Sequence, residues 1–290
     1  MISRLDRGAG RPLVKRLPYF PGDAVAELDK YSMLVLVDAR KPVAMFGYEN
    51  GFSQLVKLQE DDVWEVDGTP EEVGRVLSTV CELVGGNDIV PGKNCSGYFA
   101  GSSRPDLPKG KLTAALACQV VAALQPADCV IVDESITSGG SYTGHSNGCP
   151  HFSHLSLTGG AIGMGPPLAA GAALACPDRC VIDLQADGSA MYSLQALWTQ
   201  AREQLKVVTV LFANGTYSIL KIEFGFQRIT PSNGTAGRAL TDLGHPSIDW
   251  VAIATGMGVP ACRADTCEEL AAALRQALSR NGPFLIQANI

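Results

Sequence analysis

The chain has 290 residues, 46% of them hydrophobic and 18% charged, proportions that exclude a disordered segment and fit one large folded domain or two ordinary ones. Its formal net charge is −6, with a pI near 5.3 and no block of lysine and arginine to offset it, which argues against a nucleic-acid binder. Nine cysteines are scattered without a C-x-x-C pair, so they read as small apolar residues of a protein in a reducing, cytoplasmic compartment.

In chain order, the first sixteen residues carry Arg4, Arg7, Arg11, Lys15 and Arg16, but Gly8, Gly10 and Pro12 would break an amphipathic targeting helix. "SMLVLVD" (32–38) and "PVAMFGY" (42–48) are short apolar runs. "PEEVGRVLSTVCELV" (70–84) is a helical pattern, with Pro70 at its start and Glu71 and Glu72 suited to the N-terminal dipole. These make a first region, 1–90, and the Gly/Pro/Ser-rich stretch that follows places a linker at 91–110.

From 111 onward, strands and helices alternate. A helix at 111–124 leads to a strand at 129–134, and a Gly-rich helix at about 161–175 leads to a strand at 180–185. A helix at 189–203 precedes a strand at 207–213, and a short helix follows near 216–224. Helices at 249–258 and 267–280 flank a small strand at 259–263, before a last strand at 284–289. Such alternation predicts a doubly wound α/β domain at 111–290, with a mostly parallel sheet and helices on both faces. The uncharged stretch 157–176 is poor in large apolar residues and contains Pro166-Pro167, so it reads as a buried helix and not as a membrane span.

Asp187-Gly188-Ser189 stands where one strand ends and a helical pattern begins, and Asn214 stands just past the end of the next strand. A carboxylate and an amide oxygen are hard ligands for Mg²⁺, and a helix start beside them suits phosphate. Asp-Gly and Asn-Gly are also ordinary turn pairs, and Asp or Ser before a helix is an ordinary cap. Their joint placement after consecutive strands favours a metal-bridged diphosphate site.

"HSNGCPHFSH" offers His145, Cys149, His151 and His154 as zinc ligands, but this Gly/Pro/Ser-rich loop shows no helix or strand to hold them. No G-x-G-x-x-G follows a first strand with an acid about twenty residues later, which disfavours a dinucleotide binder.

Ala186-Asp187-Gly188, twenty-five further residues and Asn214 resemble the thiamine diphosphate motif, G-D-G followed by N across a spacer of similar length, of the acetolactate synthase and benzoylformate decarboxylase family. "GGAIGMGPPLAAGAALACPDR", "DGSAMYSLQALWTQARE" and "GPFLIQANI" extend the resemblance over 111–290. "LDRGAGR…LPYFP" and "LVLVDARKPVAMFGY" are similar, more weakly, to the latter half of that family's Rossmann-like middle domain.

The resemblance implies the thiamine diphosphate-binding fold, preceded by a partial Rossmann-like α/β segment. Asp187 and Asn214 would ligate Mg²⁺ by side chains and Thr216 by its carbonyl, and Gly188 and Ser189 would meet the diphosphate, glycine allowing close backbone approach. Ile162 would prop the cofactor into its bent form, with plain core packing as the alternative. Ser135, Thr137 and Ser138 match a loop with diphosphate-binding hydroxyls, which as turn residues need no such role. Leu220 and Glu223 would face the substrate, with an exposed helix position as the alternative for Glu223. Ala186 replaces the usual first glycine, Ala213 an asparagine common there, and Pro166-Pro167 the usual Leu-Pro.

The implied activity is that of a decarboxylase or carboligase acting on a 2-oxo acid, in a homo-oligomer. The family's catalytic glutamate belongs to a pyrimidine-binding domain that precedes the middle domain and has no counterpart in this sequence. A partner chain or a further segment would supply it; alternatively the chain is a cofactor-binding fragment or subunit without turnover. No nucleic acid or membrane partner is implied.

Overall fold

β-branched runs bounded by turns become strands because such side chains pack well on both faces of a pleated sheet. The computed structural model describes residues 4–49, 51–86, 97–230 and 236–290. The chain divides into two compact units, Met1–Pro12 with Gly97–Ile290 and, separately, Leu13–Ser96. The first twelve residues therefore belong with the larger unit, not with the expected first region 1–90. The reason is pairing: the strand β1 (Arg4–Arg7) lies antiparallel to Phe152–Ser156, far along the chain. Of the expected linker 91–110, residues 91–96, including Cys95, lie outside the described residues, and the remainder is part of the larger unit.

The smaller unit contains α1 (Pro21–Leu28), β2 (Leu34–Val37), β3 (Val63–Val66) and α2 (Pro70–Leu83). β2 and β3 pair in parallel, and Ala24, Val25 and Leu55 form a small core. α2 opens with a capping box, Thr69 accepting from the Glu72 amide while the Glu72 carboxylate accepts from the Thr69 amide. The expected apolar run 42–48 makes only an isolated bridge, Val43 to Gln54.

The larger unit continues with α3 (Ala114–Leu124), β4 (Val130–Glu134), α4 (Tyr142–His145), β5 (Phe152–Ser156), α5 (Gly165–Ala175) and β6 (Val181–Ala186). Then come α6 (Asp187–Ala190), α7 (Ala196–Arg202), β7 (Val207–Ala213), α8 (Ser218–Phe226), α9 (Ala236–Thr241), α10 (Trp250–Gly256), β8 (Ala261–Ala264), α11 (Cys267–Ser279) and β9 (Phe284–Asn289). The strands form one sheet in the order β1-β5-β4-β6-β7-β9-β8, parallel except for β1.

Alternate residues of each strand face opposite helix layers. Ile182 and Leu184 of β6 join Ile131, Val210, Phe212 and Ile286 under α3 and α11. On the other face Val130, Val132, Val181 and Val207 meet Ala169, Ala170 and Ala173 of α5, and Leu211 and Leu285 meet Leu197 and Trp250. The stretch 157–176 thus contains α5, which buries one face through Ala169, Ala170 and Ala173 while Leu174 stays exposed, and no helix among the described residues is long and apolar enough to cross a membrane. Pro166 and Pro167 lie in the first turn of α5, where their missing N–H groups have no intrahelical role.

Two further expectations change. The helix expected at 189–203 is instead a one-turn α6 and a separate α7, linked by i→i+3 hydrogen bonds such as Tyr192 N to Ser189 O (3.2 Å) and Ser193 N to Ala190 O (3.3 Å). The loop expected through 145–154 contains β5, which lies between β1 and β4. Its histidines serve the fold: His154 Nε2 lies 3.2 Å from Asp133 Oδ2, and His151 Nδ1 3.0 Å from Asp128 Oδ1. The Cys149 thiol donates to the Ala122 carbonyl at 3.1 Å, and among the described residues no cluster of three metal-ligating side chains forms.

Candidate active site

The chain leaves β4 for β5 on one side and later returns to β6 on the other, so the strand order reverses between β4 and β6. In doubly wound sheets the crevice outside the carboxyl ends at such a reversal is where ligands bind. Glu134 ends β4 and Asp187 follows the last residue of β6, so two acids flank this point. Asn214 follows the end of the neighbouring β7.

Asp187 is buried, 3% exposed as a residue. Oδ2 accepts the amides of Asn214 (3.0 Å) and Gly215 (2.8 Å), and Oδ1 accepts the amide of Gly188 (2.8 Å). Burial pushes the carboxyl above its ordinary range, while these amides pull the other way. The Asn214 side-chain Oδ1 accepts the Thr216 amide at 2.9 Å, and the Thr216 main-chain carbonyl accepts the Ser218 amide at 3.0 Å. The Thr216 hydroxyl and the Tyr217 amide both bond the Thr241 carbonyl, at 2.7 and 3.0 Å, tying the turn to α9.

These residues fit a hard cation. A carboxylate has about four lone-pair positions and a carbonyl two, so each of the three oxygen sources retains capacity beyond its internal hydrogen bonds. No lysine, arginine or histidine pairs with Asp187 among the described residues, which leaves its buried charge for a ligand to balance. Carboxylate, amide and carbonyl oxygens are the donor types Mg²⁺ takes.

Gly188 shows a second reason for glycine: a Cβ there would lie 2.4 Å from Cε1 of Tyr217. The Tyr217 hydroxyl donates to the Gly188 carbonyl at 3.4 Å, so ring and turn are packed together. Ala186 has φ −83 and ψ 146, extended backbone open to any residue, which explains why glycine is not required there.

The other expected residues divide. The Ser189 hydroxyl turns inward, donating to the Glu134 carbonyl (3.3 Å) and accepting from Gln185 Nε2 (2.7 Å), so only its main chain is left for a diphosphate. The buried Ser135 hydroxyl donates to Asp133 Oδ1 at 2.5 Å. Burial raises Asp133, but hydrogen bonds from His154 and Ser135 outweigh it and hold this carboxyl below its ordinary range. Ser138 is buried, its amide closing a turn on the Ser135 carbonyl at 3.0 Å, whereas Thr137 is exposed. Ile162 is 36% exposed on the loop between β5 and α5. Leu220 is exposed and Glu223 half-buried on α8.

Sequence reasoning missed Tyr217, Glu134 and Gln185. Tyr217 stands two residues after the Asn-Gly pair, but its contact with Gly188 arises only when β6 and β7 are neighbours. Glu134 and Gln185 stand opposite each other in the β4–β6 register, which no local pattern announces.

Comparison with known proteins agrees with this geometry. Residues 138–288 match the family described as "Thiamine pyrophosphate enzyme, C-terminal TPP binding domain". A Mycobacterium tuberculosis protein, provisionally named an acetolactate synthase large subunit, IlvX, is 45% identical over 97% of this chain and 53% of its own length. The benzoylformate decarboxylase of Pseudomonas aeruginosa is 36% identical over 58% of this chain and 30% of its own. The thiamine diphosphate-dependent 4-hydroxybenzoylformate decarboxylase of Rhodococcus jostii RHA1 superposes with a TM-score of 0.72 at 24% identity, covering 98% of this chain and 55% of that one, and so shares the fold. The chain spans about half the length of the relative that it matches along nearly its whole sequence. With the reversal point, the buried Asp187 and the family match in one place, the chain belongs to the thiamine diphosphate-dependent enzyme family that includes acetolactate synthase and benzoylformate decarboxylase.

Proposed function

We propose that this chain forms the diphosphate- and Mg²⁺-holding half of an enzyme that decarboxylates or joins 2-oxo acids, in the manner of an acetolactate synthase. One observation carries the reading: Asp187 is a buried carboxylate with no cationic partner among the described residues, fixed by three main-chain amides at the carboxyl end of β6. Asp187, Asn214 and the Thr216 carbonyl hold the metal, while the main chain of Gly188 and Ser189 holds the diphosphate. Ile162 supports the cofactor ring system, and Leu220 and Glu223 lie toward the substrate.

When bound, thiamine diphosphate would supply both the nucleophile and the electron sink that decarboxylation of a 2-oxo acid needs. The chain's own work is to fix the metal and orient the diphosphate. The glutamate that acts on the pyrimidine is assigned to a pyrimidine-binding half, supplied by a partner chain or by further sequence, within an oligomer.

Calorimetric titration tests this reading. Thiamine diphosphate should bind in Mg²⁺ and not in excess chelator, and Asn214→Ala should weaken binding. Equal binding with and without the metal would refute it.

A further inference from the structure

We infer that Glu134 is a positioning residue that holds the loop carrying Ile162 against the Asp187–Gly188–Ser189 turn. The inference rests on the thiamine diphosphate reading above. Glu134 is 1% exposed, and its carboxylate is saturated by donors from two directions. Oε1 accepts the amides of Gly163 (2.5 Å) and Met164 (3.1 Å), and Oε2 accepts the amide of Gly165 (2.8 Å). Gln185 Nε2 donates both to Glu134 Oε2 at 2.9 Å and to the Ser189 hydroxyl at 2.7 Å. A continuous buried bridge therefore runs from the residue after Ile162, through Glu134 and Gln185, to the turn that begins with Asp187.

The loop is rich in glycine and is fixed by few local hydrogen bonds among the described residues, such as Ala161 N to Thr158 O at 3.2 Å, besides packing of Gly163 on Tyr192. Gly159, Gly160 and Gly163 have φ of 62°, 73° and 93°, conformations that glycine adopts freely in the unfolded chain too. The packing at the clamp is close: a Cβ on Gly165 would lie 2.0 Å from Gln185 Oε1 and 2.8 Å from Glu134 Oε2. A carboxylate suits the position because it accepts on both oxygens, whereas a glutamine must turn its NH₂ toward amides that themselves donate. A helix cap alone would influence stability; a clamp beside Ile162 also influences what Ile162 does for the ligand.

The test compares wild type, Glu134→Gln, Ile162→Ala and the double variant. Hydrogen exchange on the unliganded protein is read first: in Glu134→Gln the amides of 163–165 should exchange faster while the β6 and β7 amides keep their protection. Thiamine diphosphate affinity in Mg²⁺ is read second. Supporting partners of a ligand site typically contribute about 10–100-fold in affinity, and each single variant should lose an amount near the lower end of that range. The double variant should lose no more than the single variant with the larger loss, since both act through one loop position.

Unchanged affinity in Glu134→Gln, or additive losses, would overturn the inference while leaving the cofactor reading intact. A wild type that does not bind the cofactor would overturn both, with the exchange result still reporting on the clamp. If Glu134→Gln folds poorly, Glu134→Asp, which keeps the charge but shortens the reach, reads the same coupling with Ile162→Ala.

Discussion

The carboxylate of Asp187 accepts the main-chain N–H of Gly215 at 2.8 Å, fastening the end of β6 to the turn after β7. The same oxygen accepts the Asn214 amide at 3.0 Å, so the side chain that would hold a metal also shapes the turn supplying the other two ligands. Structure and proposed chemistry therefore meet in one residue, and its variants should separate the two.

Asp187→Ala leaves three amides without their acceptor, and each unsatisfied group costs about 1–3 kcal/mol if it stays dry. The unliganded variant should lose stability in urea unfolding, by less than three full penalties because water can enter a site so near the surface.

Gly188→Ala places a methyl 2.4 Å from the Tyr217 ring, and such overpacking typically costs about 1–3 kcal/mol. Tyr217→Ala combined with it should recover part of that loss in denaturant midpoint. No recovery would assign the cost to the Gly188 backbone itself.

Ile162→Ala should be nearly silent in the unliganded protein, since the side chain is 36% exposed and such surface changes usually stay within about 0.5 kcal/mol. Its effect should appear only in cofactor affinity. A large loss of unliganded stability would return Ile162 to plain core packing.

Asp183 gives a pH signature. Burial pushes its carboxyl well above the ordinary range, and the Glu134 charge adds to this. A carboxyl raised on folding contributes stability below its unfolded pKa near 3.8, and that contribution is lost as pH rises through the folded value. Asp183→Asn removes this titration, so its unfolding free energy should fall less steeply with rising pH than that of the wild type. Asp187 is shifted in the same direction, so protons should compete with Mg²⁺ and cofactor affinity should weaken as pH falls through its raised value.

The central sheet was legible because β4, β6, β7 and β9 are short, mostly apolar runs rich in Val, Ile and Leu, close to the pattern of strands covered on both faces. β1 and β5 were hidden because their polar residues are satisfied only by distant partners. Arg7, 5% exposed, donates to the Ser146 hydroxyl at 3.0 Å and to the Asn147 Oδ1 at 2.6 Å, and His154 meets Asp133. The site divides in the same way. Asp187 and Asn214 were found from their positions just past strand ends, a local cue. Glu134, Gln185 and Tyr217 depend on which strands become neighbours. The helix expected at 189–203 was overextended because apolar periodicity continues across a segment whose hydrogen bonds are i→i+3.

The most direct measurement is thermal unfolding with and without thiamine diphosphate and Mg²⁺, in wild type and Asp187→Ala. A ligand that binds only the folded state, at about 100 times its dissociation constant, adds about 2.7 kcal/mol. The expected result is a metal-dependent rise in Tm for the wild type and none for Asp187→Ala. A wild type indifferent to the pair, or an Asp187→Ala variant that shifts equally, would contradict the assignment of this turn as the diphosphate and metal site.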